Sequence, residues 1–425
     1  MITMRAGQRN MLRWTKPDDN RYVPRIPIVL GVVLSVAIAL IFSAMHGFLD
    51  LQVYRVGTRA WLHHHALYGP TLPVAGHTDL PFTYPPSAAI LMIPLAVIPL
   101  WLAELLVTAS SLLCLAITVW LVLSRVRPDL DPRAKTMLTT AAAVALLAIE
   151  PVRITLWFGQ VNLVLMAAVA LDCLTPKPRW PRGLLVGIAA VTKLTPAAFI
   201  LYFLIRKDWK AAATATATSA TVILSGFLLF PRESRDYWFH AVSDTGRIGS
   251  PDYVSNQSIK GMVFRLGFTG STAIAVWLGV ALVVVVAGAA LMRYLFTLEQ
   301  ATARDTASVL PVTALLVNAA VLLLISPISW THHWVWVAPA LVTAVAWATT
   351  KPGVGVYATI AGVAAVFLIG PGLVPNGKHR ELHWTWWEHL GGDVYILVAA
   401  ALIVAGVWQL VRLRTRRTPA SASAT

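Results

Sequence analysis

The sequence predicts an all-helical protein that crosses a membrane about twelve times. Three observations carry that expectation. Of 425 residues, 57% are hydrophobic and 12% charged, whereas soluble domains carry ~25% charged residues. A soluble fold of this length cannot hide so much apolar surface behind so few charges. The apolar residues also gather into blocks, many close to the ~20 residues that span a ~30 Å hydrocarbon core. Finally, 34 Lys+Arg against 19 Asp+Glu leave a net charge of +15. In such a chain that excess points to positive-inside loops and anionic lipid head groups rather than to nucleic acid.

The blocks lie at 26–45, 88–123, 137–149, 161–174, 183–205, 211–230, 272–296, 308–327, 334–350, 354–374 and 394–411. The first has no small-x-small site after it and reads as an uncleaved span. Basic clusters at 5–25, 125–135, 177–182, 206–210, 293–304, 351 and 412–417 decide the path if all face the cytoplasm. Block 88–123, with Pro94 and Pro99, then crosses once after a broken or interfacial start. Block 183–205 crosses twice, as a helical hairpin with Lys193 at its far tip. This gives a basic cytoplasmic segment at 1–25, one transmembrane domain at 26–411 and a basic, disordered cytoplasmic tail at 412–425.

The outer segments become 46–87, 150–160, 193–196, 231–271, 326–333 and 375–393, and the unusual polar residues fall in them. Cytoplasmic loops are too short for a nucleotide-binding domain, which needs ~30 residues for even one βαβ unit. There is no convincing internal repeat, which counts against an inverted-repeat transporter. Cys114 and Cys173 lie inside apolar runs and read as small buried hydrophobes.

Taken in order, Asp50 follows the first span. Leu51, Tyr54, Thr58, Trp61 and Leu62 then recur at helical spacing, as in an amphipathic helix lying in the interface. Asp50 is either the N-cap of that helix or a general base. His63, His64 and His65 do not converge on one ion, because neighbouring helical side chains point about 100° apart. Asp129 and Asp131 imitate a metal-binding Asp-x-Asp but sit on the cytoplasmic side with no nucleotide fold around them. Gln160 and Asn162 place amides at a helix entry, suited either to capping or to sugar hydroxyls.

Lys193 lies within an apolar block, where a lysine costs ~2.5–3.5 kcal/mol on insertion scales, so it calls for an anionic partner or ligand. In the longest outer loop, Asn256, Gln257, Ser258 and Arg265 either open a capped helix or present amides and a guanidinium to a phosphate-linked sugar. Trp330, His332 and His333 close a span, as interface residues or as a phosphate- and sugar-binding group. The loop 383–389 is rich in tryptophan, with Glu388 a second acid–base candidate. One aspartate, few cations, paired histidines and many amides fit transfer of a sugar from a lipid phosphate without a metal or other cofactor. The aspartate, with a reference pKa of ~3.9, accepts the proton of the attacking hydroxyl, and the cations stabilise the leaving phosphate.

The motifs Leu49-Asp50-Leu51-Gln52-Val53-Tyr54, Tyr84-Pro85-Pro86, Gly159-Gln160-Val161-Asn162, Lys193-Leu194-Thr195-Pro196, Asn256-Gln257-Ser258 and Ser326-Pro327-Ile328-Ser329-Trp330 with His332-His333 occur in this order. With them the chain resembles the polyprenol-phosphate-mannose-dependent alpha-1,2-mannosyltransferases, glycosyltransferase family 87 of the multi-spanning GT-C superfamily. The resemblance covers about residues 26–411. It implies a GT-C-type bundle in the plasma membrane with its site on the extracytoplasmic face. It also implies an inverting transfer from polyprenyl-phosphate mannose to a glycolipid acceptor such as a phosphatidylinositol mannoside, lipomannan or lipoarabinomannan. Asp50 would be the base. His332, His333, Lys193 and Arg265 would hold the donor phosphate, and Tyr84, Gln160, Asn162, Asn256, Gln257, Ser258 and Trp330 would line the sugar sites. A transferase using polyprenyl-phosphate arabinose would share the architecture, and a lipid-sugar flippase would also place charges in a membrane cavity.

Overall fold

The computed structural model describes residues 25–45, 47–68, 80–302, 309–350 and 352–415. Positions 1–24 and 416–425 of the expected terminal segments, Lys351, and positions 303–304 of the expected 293–304 cluster lie outside the described residues. Helix α1 (Arg25–Ala44) is followed by α2 (Leu49–Leu62). Next come α3 (Pro86–Val97) and α4 (Leu100–Val126), separated at Pro99. Helices α5 (Pro132–Leu146) and α6 (Glu150–Phe158) meet at 77°. Gly159, left-handed at φ 66°, ends α6 before α7 (Asn162–Leu174) and α8 (Leu184–Thr192). Helices α9 (Ile200–Arg206), α10 (Trp209–Leu229), α11 (Pro231–Asp236) and α12 (Ile259–Arg265) follow. The chain ends with α13 (Gly270–Ala301), α14 (Val309–Ile325), α15 (Val337–Ala348), α16 (Val354–Ile369), α17 (Trp386–Gly392) and α18 (Val394–Thr415).

Two poles organise this bundle. At the basic pole, Arg125 donates to the Leu174 carbonyl (2.8 Å) and Arg182 to that of Asp172 (2.7 Å). There too, Arg206 meets Glu299 (3.0 Å) and Arg127 meets Thr349 (2.9 Å). These bonds gather the ends of α4, α7, α9, α13 and α15, where open helix carbonyls need donors. At the opposite pole the Phe48 amide donates to Trp157 O (2.6 Å), Gln257 N to Ser329 O (2.8 Å) and Tyr395 OH to Glu150 (3.0 Å). Among the described residues, α1, α4, α5, α7, α8, α9, α10, α13, α14, α15, α16 and α18 run alternately between the poles.

The two ambiguous blocks resolve by local chemistry. Arg55 and Arg59 of α2 donate to the carbonyls of Leu95, Ile98 and Ala96 at the end of α3. Helix α3 is thereby pinned beside α2 at the pole opposite the basic one, and α4 alone makes the crossing. In the second block, a Cβ on Gly183 would lie 2.1 Å from Ala211 O, and one on Gly187 2.8 Å from Ala215 O. Helices α8 and α10 therefore run parallel in close contact. Arg182 also lies 3.8 Å from Asp208, so the limb α9 returns to the basic pole and Lys193 stands at the tip of a hairpin.

The protein is an all-helical polytopic membrane protein. Among the described residues five helices are long and apolar enough to cross a membrane, six if the bent pair α5 and α6 counts as one. Two of the shorter helices reach the polar cluster: α7 has 13 residues and α8 nine, or about 20 and 14 Å at 1.5 Å per residue. By contrast α4 has 27 residues. Its Val107 lies against Gly159, so α4 continues seven residues, about 10 Å, beyond the cluster. The cluster thus sits in a recess beside the longer α4.

Candidate functional site

Asp50 occupies the first turn of α2, but the N-cap is Phe48, left-handed at φ 61°, with no side-chain cap bond. The capping alternative for Asp50 therefore falls, and its carboxylate is free for other work beside the positive end of the helix. Gly159 makes this placement possible. A Cβ there would lie 2.9 Å from both Leu51 Cβ and Phe48 Cδ1, and its φ of 66° is one that side-chain-bearing residues rarely adopt.

Gln160, next along the chain, hydrogen-bonds the Asp50 carboxylate. Its Oε1 accepts from Tyr54 OH (2.8 Å) and Tyr84 OH (3.2 Å), and the two phenols lie 2.9 Å apart. The tyrosines occupy the carbonyl side of the amide, which leaves its NH₂ to the aspartate. Tyr54 was not among the residues assigned to the site from sequence. The signal was available: it lies four residues after Asp50 on one helix, the spacing at which side chains share a face.

On the other side stands Lys193, at the C-cap of α8. Its Nζ lies 2.9 Å from Asn162 Oδ1, 3.0 Å from His333 Nε2 and 5.6 Å from the centre of the Tyr84 ring. Asn162 Nδ2 donates to His332 O (2.9 Å), as does Thr155 Oγ1 (3.0 Å). The rings of His332 and His333 meet edge to face at 4.8 Å. His332 Nε2 is buried without a hydrogen-bond partner among the described residues, an atom that a bound acceptor or donor would satisfy. A cavity of about 40 Å³ adjoins the group, with Asn162, Lys193, Ser326, Ser329 and His333 among its walls.

Burial sets the protonation of these groups. It pushes the Asp50 carboxyl up to about 6, against the opposing pull of the Gln160 bond and the Lys193 charge. Burial also lowers Lys193 to about 8, with Asp50 acting to raise it. Both histidines are held well below their usual value by burial and by Lys193. They are therefore neutral at pH 7 and serve as hydrogen-bonding groups rather than as cations. Lys193 is the cation of the cluster.

Four expectations need correction. Arg265 is 2% exposed. Its guanidinium bonds Asp393 through Nε (2.8 Å) and Nη2, and the carbonyls of Tyr253 and Asn256 (3.1 Å each) through Nη1. It is spent on a buried ion pair and is not a phosphate ligand. Asn256, Gln257 and Ser258 are fully buried and also structural. Asn256 Oδ1 accepts from Ser329 N (2.9 Å), Gln257 bridges Val254 O (2.8 Å) and Tyr395 N (3.2 Å), and Ser258 caps α12. Trp330 packs on Gly249 and Tyr253, tying the same loop down. Glu388 accepts from the Thr385 amide and hydroxyl (2.7 Å each) in a capping box, which holds its carboxyl below the usual range and unsuited to acid–base work at neutral pH.

Replacing Arg265 tests this reassignment. Arg265→Met leaves Asp393 buried against His389 alone, and loss of one partner from a buried pair costs about 3–5 kcal/mol. The expected result is a large drop in unfolding free energy in detergent, with unchanged donor KM in the fraction that stays folded. A selective rise in donor KM at undiminished stability would return Arg265 to the phosphate.

Among the described residues no three His, Cys, Asp or Glu side chains converge as metal ligands. Asp129 pairs with Arg127 (2.7 Å) and Asp131 caps α5, both at the basic pole, away from the cluster.

Comparison with known proteins shows the family. Residues 82–327 match the sequence profile of glycosyltransferase family 87. A polyprenol-phosphate-mannose-dependent alpha-(1-2)-phosphatidylinositol mannoside mannosyltransferase of Mycolicibacterium smegmatis is 38% identical over 84% of this chain and 82% of its own. Its namesake in Mycobacterium tuberculosis is 34% identical over 96% and 97%. A phosphatidylinositol pentamannoside mannosyltransferase of M. tuberculosis, also polyprenol-phosphate-mannose-dependent, is 34% identical over 92% and 89%.

Proposed function

Because the chain belongs to glycosyltransferase family 87, we propose that it moves mannose from polyprenyl-phosphate mannose to the 2-hydroxyl of a phosphatidylinositol mannoside. The observation that carries this reading is the facing of one carboxylate, Asp50, by one ammonium, Lys193, with neutral histidines beside the ammonium. Asp50 takes the proton from the acceptor hydroxyl as that oxygen bonds to C1 of the mannose. The bond from C1 to phosphate oxygen breaks, and polyprenyl phosphate leaves. Lys193 and the imidazole N–H groups of His332 and His333 stabilise the charge gathering on that phosphate. One displacement converts a beta-linked donor into an alpha-linked product.

Within this reading Tyr84 and Gln160 aim the base, and Asn162 aims the lysine; each acts through a catalytic group rather than on a sugar. The recess supports a donor that stays on its lipid, since a phosphate tethered to the leaflet arrives at that depth. The basic pole faces the cytoplasm under the positive-inside rule, which puts the cluster on the extracytoplasmic side of the plasma membrane. The transporter alternative is set aside, because the family is one of glycosyltransferases.

The protonation states give a pH profile. Transfer needs Asp50 ionised and Lys193 protonated. Hence kcat/KM rises as pH passes upward through about 6, where Asp50 loses its proton, and falls as pH passes through about 8, where Lys193 loses its own. A profile without the acid limb would remove Asp50 from the role of base. Chelators are expected to leave the rate unchanged, and a strict divalent-metal requirement would overturn the metal-free mechanism.

The reading itself is tested with purified protein in liposomes, labelled polyprenyl-phosphate mannose or polyprenyl-phosphate arabinose, and a panel of mannosides. Label is expected to pass from the mannose donor alone, to a phosphatidylinositol mannoside. Transfer from the arabinose donor instead would replace the donor assignment.

A further inference from the structure

A second group of polar side chains stands beside the cluster. In α11, Glu233, Asp236 and Tyr237 fall at the spacing that puts helical side chains on one face, and the Tyr237 amide donates to the Glu233 carbonyl. Tyr237 is buried and the two carboxylates are half-buried, whereas Arg232 and Arg235 of the same helix are exposed. At Tyr237 the helix widens into a π turn, Tyr237–Ala241, a distortion that recurs at functional sites. The Tyr237 ring lies 5.4 Å from that of Tyr68, and the charges of Glu233, Asp236 and Arg247 all act on the Tyr68 hydroxyl.

Arg247 is the open member of the group. Its Nη2 is buried without a hydrogen-bond partner among the described residues, an arrangement that is costly until a ligand oxygen fills it. Gly249, two residues on, packs on the Trp330 ring, which holds the Arg247 loop beside the histidine motif. On the other side, Tyr68 OH donates to the Tyr84 carbonyl (2.7 Å). Tyr84 joins the two groups, since its ring lies 5.6 Å from Lys193 Nζ and its hydroxyl bonds Gln160. We infer that Glu233, Asp236 and Arg247, with the rings of Tyr68 and Tyr237, form an acceptor subsite that binds the mannose next to the one being extended.

The inference rests on the reading that the acceptor is a mannoside chain. Carboxylates accept from sugar hydroxyls and a guanidinium donates to their oxygens, so the mixed set suits an uncharged ring bearing neighbouring hydroxyls. A phosphate, of donor or acceptor, is the poorer ligand, because two carboxylates repel it. The donor's mannose is set aside by position. Its C1 lies between Asp50 and a phosphate at Lys193, whereas this group is displaced to the far side of Tyr84. A disaccharide end reaches both places: the terminal ring presents its 2-hydroxyl to Asp50 and the next ring rests against Tyr237 and Arg247. The subsite thereby sets a preference for acceptors that already carry more than one mannose.

Arg247→Met and Glu233→Gln test this with two acceptors, methyl mannoside and a methyl mannobioside. In each variant kcat/KM for the mannobioside relative to the mannoside is expected to fall about tenfold, as when a hydrogen bond from a charged group is lost. An unchanged ratio, or a rise in donor KM in its place, would overturn the inference. Glu233→Gln keeps the side chain's size, so the comparison stands even if Arg247→Met fails to fold. Saturation-transfer NMR of mannobioside binding to the full chain in detergent needs no turnover, and so separates this subsite from failure of the transferase reading. Wild-type protein is expected to give a signal that both variants weaken. Equal signals from wild type and variants, or none from wild type, would overturn the subsite whether or not mannose is transferred.

Discussion

Asp50→Asn is expected to lower kcat by about 10²–10⁴-fold, the contribution typical of a positioned general base, while the protein still folds and binds donor. The substitution is nearly isosteric, and the asparagine Oδ1 can still accept the hydrogen bond from the Gln160 amide. The Tyr54–Tyr84–Gln160 array beneath it is anchored by its own hydroxyl bonds. What disappears is the lone pair that takes the acceptor's proton. The check is turnover alongside donor binding and unfolding temperature. Full turnover would exclude Asp50 as base, and collapse of folding would recast it as structural.

Lys193→Met is expected to be the second most damaging change, with a loss of roughly 10²–10³ in kcat, as when one preorganised charge-stabilising donor is removed. Methionine has a similar length and no charge. Asp50 is left facing no ammonium, but its carboxyl is already raised to about 6 by burial and can take up a proton rather than stay stranded as a charge; unfolding temperature is measured beside turnover, and only turnover lost from folded protein counts. The pH profile carries a signature that a packing role lacks. The Lys193 charge pulls the Asp50 carboxyl down against its burial. Without it the acid limb moves to higher pH, and the alkaline limb set by lysine deprotonation vanishes. A profile with both limbs unmoved would contradict the pairing of these two groups.

Much of this architecture was legible in the sequence because the membrane leaves few choices. Basic clusters forced an even number of crossings on block 183–205, and the chain does turn at Lys193. The cost of an ammonium in an apolar block singled out that residue, and the structure brings it together with Asn162 and His333. Arg265 misled for a physical reason. Its partner, Asp393, is 128 positions away, and an arginine committed to a buried pair has the same local sequence as one awaiting a phosphate. The amides of Asn256 and Gln257 likewise resemble sugar ligands until Ser329 and Tyr395 are seen against them. One bend was hidden as well. Helix α5 stops at Leu146 and α6 sets off at 77° to it, a bend that the apolar run does not announce.

The most direct measurement is the configuration of the new glycosidic bond. Purified enzyme in liposomes, supplied with beta-linked polyprenyl-phosphate mannose and a phosphatidylinositol mannoside, should yield one added mannose whose anomeric NMR signal is alpha, joined to the acceptor's 2-hydroxyl. A beta-linked product would contradict a single displacement driven by Asp50 against a phosphate held at Lys193.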